Sequence, residues 1–197
     1  MKKILLSVLA ACSLISARAA VFNYSVTFSG ANESPANASI GVGTGSVRYD
    51  STAHSLQLQA FFVGLAGTTT ASHIHAATLI PFSGSAGVAT TTPSFAGFPI
   101  GVPTGFFNNT LDLTLASSYN PSYITAHGGT TLQAELDLTA AMAAGQAYWN
   151  IHSTAFPGGE IRGFLTVVPE PGTLALAGLG AMGLAARAWN KRRASKA

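Results

Sequence analysis

The feature that most constrains this chain is a recurring alternation of apolar and polar residues with a period of two. Residues 22–28 alternate without a break, and similar short segments follow, separated by Gly and Pro. A period of two places successive side chains on opposite faces of an extended strand, so each segment is predicted to be a strand with one buried face. The predicted strands are residues 22–28, 46–49, 55–61, 70–78, 110–115, 147–153 and 160–167.

These strands predict a mainly β fold, an antiparallel β-sandwich with Greek-key-like connections. Residues 131–144 break the pattern, because they are rich in Ala and end at Gly145. We expect one short helix there. Residues 81–103 are rich in Gly, Ser, Thr and Pro and are predicted to form a long irregular loop.

Charge and cysteine content narrow the possible functions. Only 9% of the residues are charged, and residues 20–168 carry two arginines, Arg48 and Arg162, against six acidic residues. An acidic body argues against a nucleic-acid partner, since phosphate binding requires a basic surface. The single cysteine, Cys12, lies in the N-terminal segment, so the body is predicted to contain no disulfide and no thiolate nucleophile or metal ligand.

The N-terminal residues 1–19 have the pattern of a secretory signal peptide. Lys2 and Lys3 precede a short apolar stretch, and small residues flank the expected cleavage point. We expect cleavage after Ala19, which would make Ala20 the first residue of the mature protein. The sequence Leu-Ala-Ala-Cys ending at Cys12 also has the form of a lipobox, an alternative that would place a lipid on this cysteine.

The C-terminal residues 168–197 combine a short motif, an apolar run and a basic end. Pro169, Glu170 and Pro171 precede an apolar segment at residues 174–186, and Arg and Lys residues follow it. Thirteen helical residues would extend about 20 Å, which is shorter than the hydrocarbon core of a bilayer at about 30 Å. We predict a hydrophobic C-terminal helix, with its basic end on the cytoplasmic side.

This tail resembles the PEP-CTERM sorting signal of Gram-negative bacteria. The resemblance implies processing by exosortase, an integral-membrane enzyme, as the principal partner. It also implies an exported protein, a precursor held transiently in the inner membrane, and a mature protein at the cell surface or in the extracellular matrix. Proteins of this kind tend to belong to bacteria that make exopolysaccharide or biofilm.

Six polar residues are predicted to share one face of three strands. If Ile74, Trp149 and Ile161 point into the core, alternation places their polar neighbours on the opposite face. The six polar residues are His73, His75, Asn150, His152, Glu160 and Arg162.

The motifs that contain these residues resemble those of the CHRD domain, named from chordin. Residues 30–35 fit Gly-x-x-Glu-x-Pro, residues 73–75 read His-Ile-His, residues 148–152 fit Tyr-x-Asn-x-His, and residues 159–163 read Gly-Glu-Ile-Arg-Gly. The resemblance covers residues 22–167 and implies a β domain between the two ends, with boundaries at 20 and 167. Phe164 departs from the pattern, because a polar residue is common at its position. The family has no established catalytic activity.

Three functions remain open for the polar face. It could be a structural hydrogen-bonded network, a zinc or copper site formed by His73, His75 and His152, or a recognition surface for extracellular polysaccharide or a matrix protein. Our leading hypothesis is a non-enzymatic structural or binding module without a cofactor. The alternative is a metal-dependent enzyme that uses the three histidines.

Overall fold

A computed structural model of the chain describes residues 21–169 together with residue 182. The strands are β1 Val21–Ser29, β2 Val42–Asp50, β3 Ser55–Val63, β4 Thr69–His75, β5 Gly105–Asp112, β6 Tyr148–Ser153, β7 Ile161–Phe164 and β8 Thr166–Val168, and the helices are α1 Pro121–Ala126 and α2 Thr131–Ala143. The predicted mainly β, antiparallel fold is confirmed. The predicted C-terminal hydrophobic helix and the signal peptide lie outside the described residues.

The eight strands form one curled antiparallel sheet in the order β4-β6-β7-β1-β2-β3-β5, with β8 also paired to β1. The long hairpins β1–β2 and β2–β3 pair over nine residues each. The two edge strands approach each other through the segment before β5, where Thr69 N–H donates to Val102 O and Gly101 N–H donates to Thr69 O. The curled sheet therefore encloses a single core between its two halves.

The core is built from the residues that the alternation places on the inner face. In β1 the inward residues are Tyr24, Val26 and Phe28, all buried, while Ser25 and Thr27 between them are exposed. Trp149 of β6 is fully buried, and its ring meets the edge of Phe28 at 5.5 Å between centroids. Trp149 thus packs in the core among phenylalanine side chains, with leucines from β3, β5 and α2 around them.

The helices close one side of the curled sheet and are defined by their caps. Thr130 accepts a hydrogen bond from Gln133 N–H at the start of α2, and Asn120 accepts one from Ser122 N–H at the start of α1. α2 is the helix predicted at residues 131–144. α1 was not predicted, because six residues are too few for a periodic pattern. In the part of the chain that the structure describes, no helix combines the length and hydropathy needed to cross a membrane.

Candidate functional site

The polar face predicted from the sequence lies on the outer side of β4, β6 and β7. In the strand register, Asn150 of β6 is opposite His73 of β4 on one side and Arg162 of β7 on the other. The apolar neighbours Ile74 and Trp149 are opposite each other on the inner side and are fully buried. For these residues of β4 and β6 the inward and outward directions expected from alternation are those of the structure.

This outer face is itself buried. His73, His75, Asn150 and Arg162 are each at most 8% exposed, and His152 is half-buried. Loop segments from other parts of the chain cover them, as backbone carbonyls of Asn32, Ala86 and Pro157 accept hydrogen bonds from this group. Asn32 is distant in the sequence from the strand that it covers, whereas Ala86 and Pro157 lie in the loops that follow β4 and β6. Strand alternation does not describe loops, so it gives no sign of this covering layer.

Three histidines lie together at one end of the face. The ligand atoms of His73, His75 and His152 all lie within 4.8 Å of one another. The closest pair is His73 Nδ1 and His75 Nε2, which are 3.1 Å apart. We call these three residues the histidine cluster. Alternation on β4 and β6 brings the cluster together, because residues two apart on a strand share a face and the two strands are paired.

Backbone carbonyls fix the orientation of two of these rings. His75 Nδ1 is 2.9 Å from Ala86 O, and His152 Nδ1 is 2.9 Å from Pro157 O. A carbonyl oxygen only accepts, so both Nδ1 atoms carry a hydrogen, and in the neutral rings both Nε2 atoms present a lone pair. His152 Nε2 is buried and has no hydrogen-bond partner among the described residues.

The environment keeps the histidine cluster uncharged. Burial, together with the neighbouring His75 and His152, lowers the pKa of His73 to about 3. Burial also lowers the pKa of His75 to about 4, although its hydrogen bond to Ala86 O opposes the shift. The pKa of His152 is lowered by burial as well. Neutral imidazoles with free lone pairs are the form in which histidine binds a metal ion.

Two aromatic residues complete this face, and the sequence analysis did not select them. Tyr148 stacks on His75 at 4.7 Å with an interplanar angle of 6°, and the guanidinium of Arg162 lies 4.5 Å from the Tyr148 ring centroid. The guanidinium also lies 5.6 Å from the centroid of Phe164, whose ring is 5.5 Å from that of Tyr148. Alternation could have identified them. Tyr148 is two residues before Asn150, and Phe164 is two residues after Arg162, so each is expected on the same face of its strand as that polar residue.

Glu33 is a further residue of the site that the strand pattern could not place. Its Oε2 is 3.8 Å from Arg162 Nε, and its Oε1 is buried with no hydrogen-bond partner among the described residues. Burial raises the pKa of Glu33 to about 7, with Arg162 acting in the opposite direction. The signal available in the sequence was its place in the Gly-x-x-Glu-x-Pro motif.

Glu160 stands apart from the other five residues of the predicted face. Its carboxylate accepts hydrogen bonds from Ser39 Oγ at 2.6 Å, from Ala66 N–H at 2.5 Å, from Gly67 N–H and from Ser153 Oγ. Burial favours the neutral acid, but these hydrogen bonds outweigh it and hold the pKa of Glu160 below its ordinary value. The structure therefore places Glu160 where it fixes loops near the start of β4, with no hydrogen bond to the histidine cluster.

The remaining predicted sites concern processing rather than chemistry. Pro169 is the last described residue of the domain. Glu170 and Pro171 of the sorting motif, and Ala19 and Ala20 of the expected signal cleavage, lie outside the described residues.

Comparison with known families gives two matches. The model of the CHRD domain matches residues 24–165, and the model of the PEP-CTERM protein-sorting motif matches residues 167–193. Neither the curated proteins nor the solved structures gave a match. The sorting motif implies an exported protein with a membrane-anchored precursor that exosortase processes. Since the first match covers well over half of the chain, the protein belongs to the CHRD domain family and carries a C-terminal PEP-CTERM sorting motif.

Proposed function

We propose that this chain is a non-enzymatic protein of the cell envelope or extracellular matrix of a Gram-negative bacterium. Exosortase releases it from the inner membrane, and its CHRD domain then acts as a structural or binding module, in which the covered histidine cluster is a site for a small ligand. The observation that carries the proposal is the order of the two family matches, because the sorting motif at residues 167–193 begins two residues after the CHRD match ends.

The arrangement of the chain ends supports this proposal. β8 pairs with β1, and Asn23 is opposite Val168 in the register. The first and last strands of the domain therefore meet side by side, so the segments removed by signal peptidase and by exosortase leave the domain from neighbouring strands. Both processing steps can take place at one end of a domain that is already folded.

The site favours binding over turnover. Catalysis at the histidine cluster would require a position open to substrate beside the bound group. Loop segments cover the cluster, and His73 and His75 are less than 9% exposed. A metal-dependent enzyme is the second candidate, favoured by the 4.8 Å grouping of the three ligand atoms. The partners proposed for the released module are extracellular polysaccharide or a matrix protein.

The sorting step is tested by changing the motif in the producing cells. Replacement of Pro169, Glu170 and Pro171 by Ala should leave the unprocessed chain in the inner-membrane fraction. The control is the pair Gly172→Ala and Thr173→Ala, which changes the adjacent residues and leaves the motif intact. Immunoblots of membrane and released fractions report the outcome. Normal release of the motif variant would contradict the proposed route.

A further inference from the structure

We propose that the histidine cluster is a binding site for one late first-row transition-metal ion, zinc or copper. His73 Nδ1, His75 Nε2 and His152 Nε2 would be its ligands. This inference names the ligand of the binding module described above and in that sense rests on the proposed function. The evidence for this metal site is the geometry of the three rings and the nitrogen of His152 that has no hydrogen-bond partner among the described residues.

The spacing of the nitrogens suits a single ion. Zinc binds imidazole nitrogen at about 2.0–2.1 Å, so two nitrogens at tetrahedral positions lie roughly 3.3 Å apart. His73 Nδ1 and His75 Nε2 are already 3.1 Å apart. The largest separation within the cluster is 4.8 Å or less, so the remaining adjustment is a ring movement of about 1–1.5 Å. His152 is half-buried and the least enclosed of the three, so its ring has the most room to move.

The hydrogen-bond pattern directs lone pairs toward a common point. His75 and His152 each donate from Nδ1 to a backbone carbonyl, which is the outer-shell arrangement that orients histidine ligands in metal sites. In the metal-free chain His73 Nδ1 carries a hydrogen and donates it to His75 Nε2. In the metal-bound chain His73 would carry its hydrogen on Nε2 instead, so that each of the three residues offers a lone pair to the same ion.

The unpartnered nitrogen is an independent sign of a missing ligand. A buried acceptor without a hydrogen bond costs about 1–3 kcal/mol, and such atoms are rare in folded proteins. His152 Nε2 is such an atom. A metal ion bound to the cluster would satisfy it, because a ligand atom of His152 lies within 4.8 Å of those of His73 and His75.

The donor set identifies the class of metal. Three neutral imidazoles suit zinc and copper, whereas calcium and magnesium require mainly oxygen ligands. Three neutral ligands leave the positive charge of the ion uncompensated. The cationic Arg162 adds to this positive charge, since it lies near enough to His75 to lower the pKa of that residue. The site therefore favours either monovalent copper or a divalent ion with an anion in the fourth position.

The test is metal binding by the full chain purified in detergent and stripped with a chelator. Zn²⁺, Co²⁺ and Cu⁺ are added separately, and elemental analysis after desalting gives the number of ions per chain. We expect one ion per chain for zinc or copper, and an intense visible absorption for Co²⁺ in a tetrahedral site. The matched variants are His152→Gln, whose amide can still donate to Pro157 O, and His127→Gln, which removes a histidine outside the cluster.

Loss of a ligand should weaken the affinity at least 100-fold in His152→Gln and leave it unchanged in His127→Gln. Each variant is first checked for the near-ultraviolet dichroism of the folded domain, and His73→Gln replaces His152→Gln if the latter fails that check. A folded wild-type chain that retains no ion, or equal affinity in a folded cluster variant, would overturn the metal site. Neither result affects export, because release is measured separately in cells with the motif variant.

Discussion

Trp149→Ala tests whether β6 has one apolar face in the core and one polar face outside it, as the site requires. Trp149 is fully buried, and its ring makes edge contacts with Phe28, Phe95 and Phe107 at centroid distances of 5.5, 5.7 and 6.2 Å. Its indole N–H donates to Ser72 Oγ at 2.7 Å. The substitution therefore removes the residue that joins the two halves of the curled sheet.

The expected cost follows from these contacts. Replacement of a buried aromatic residue by Ala destabilises proteins by about 3–5 kcal/mol, and each aromatic pair adds roughly 0.5–1.5 kcal/mol beyond its buried area. With three aromatic neighbours and a lost hydrogen bond, we expect a decrease of about 4–5 kcal/mol in the free energy of unfolding. His152→Ala should cost only about 1 kcal/mol or less, since it loses the bond to Pro157 O but also removes the unpartnered Nε2.

Urea melts of metal-free protein, followed by fluorescence and far-ultraviolet dichroism, give both values. Phe61→Ala is the matched control, because Phe61 is 49% exposed on the outer side of β3 and its loss should cost well under 1 kcal/mol. If His152→Ala destabilises the chain more than Trp149→Ala, the assignment of inner and outer faces is refuted. The histidine cluster would then lose its structural basis.

Two further predictions concern buried ionisable groups. Glu160→Gln should lower the free energy of unfolding by about 2–4 kcal/mol in urea melts, because four donors lose a carboxylate. The control Asp137→Asn should change it little, because the half-buried Asp137 accepts a hydrogen bond from Gln133 on the same helix, which an Asn oxygen can also accept. In the metal-free chain His73 and His75 become protonated below about pH 6.5 in the unfolded state but remain neutral in the folded state. The free energy of unfolding should therefore fall as the pH drops toward 4, by up to about 1.4 kcal/mol per pH unit for each ring. Glu33 opposes this loss between pH 7 and 4.5, because its pKa is raised to about 7 and the folded chain binds a proton there before the unfolded chain does. In Glu33→Gln the free energy of unfolding should therefore fall more steeply with decreasing pH, as measured by urea melts at a series of pH values. A stability that is flat or rising as the pH falls from 6.5 to 4 in Glu33→Gln would contradict the assigned protonation states.

The alternation of apolar and polar residues predicted the features of the fold that depend on a single strand. It placed Trp149 and Ile151 inward and Asn150 and His152 outward, and it identified the strand regions and α2, because a sheet with one apolar face requires this pattern. The boundaries were less accurate, since β5 begins at Gly105 rather than at residue 110 and the strand predicted at residues 160–167 is divided into β7 and β8. The directions of these side chains are local properties of each strand. The pairing of β4 with β6, which brings His73 and His152 together, joins two strands that are distant in the sequence, and alternation does not predict it.

The parts that were missed depend on loops, which strand alternation does not describe. The outer face is buried because segments near Asn32, Ala86 and Pro157 fold over it, and their backbone carbonyls carry no signal in the sequence. Glu160 precedes β7 and turns toward Ala66 rather than following the alternation of that strand. Period two therefore ceases to predict side-chain direction where a strand ends.

The most direct test of the account is the native mass spectrum of the protein recovered from outside the producing cells. The account predicts a chain that begins at Ala20, lacks the basic C-terminal end, and carries one zinc or copper ion that is absent from His152→Gln. Recovery of released protein with an intact C-terminal tail and no bound metal would contradict both the proposed route and the proposed ligand.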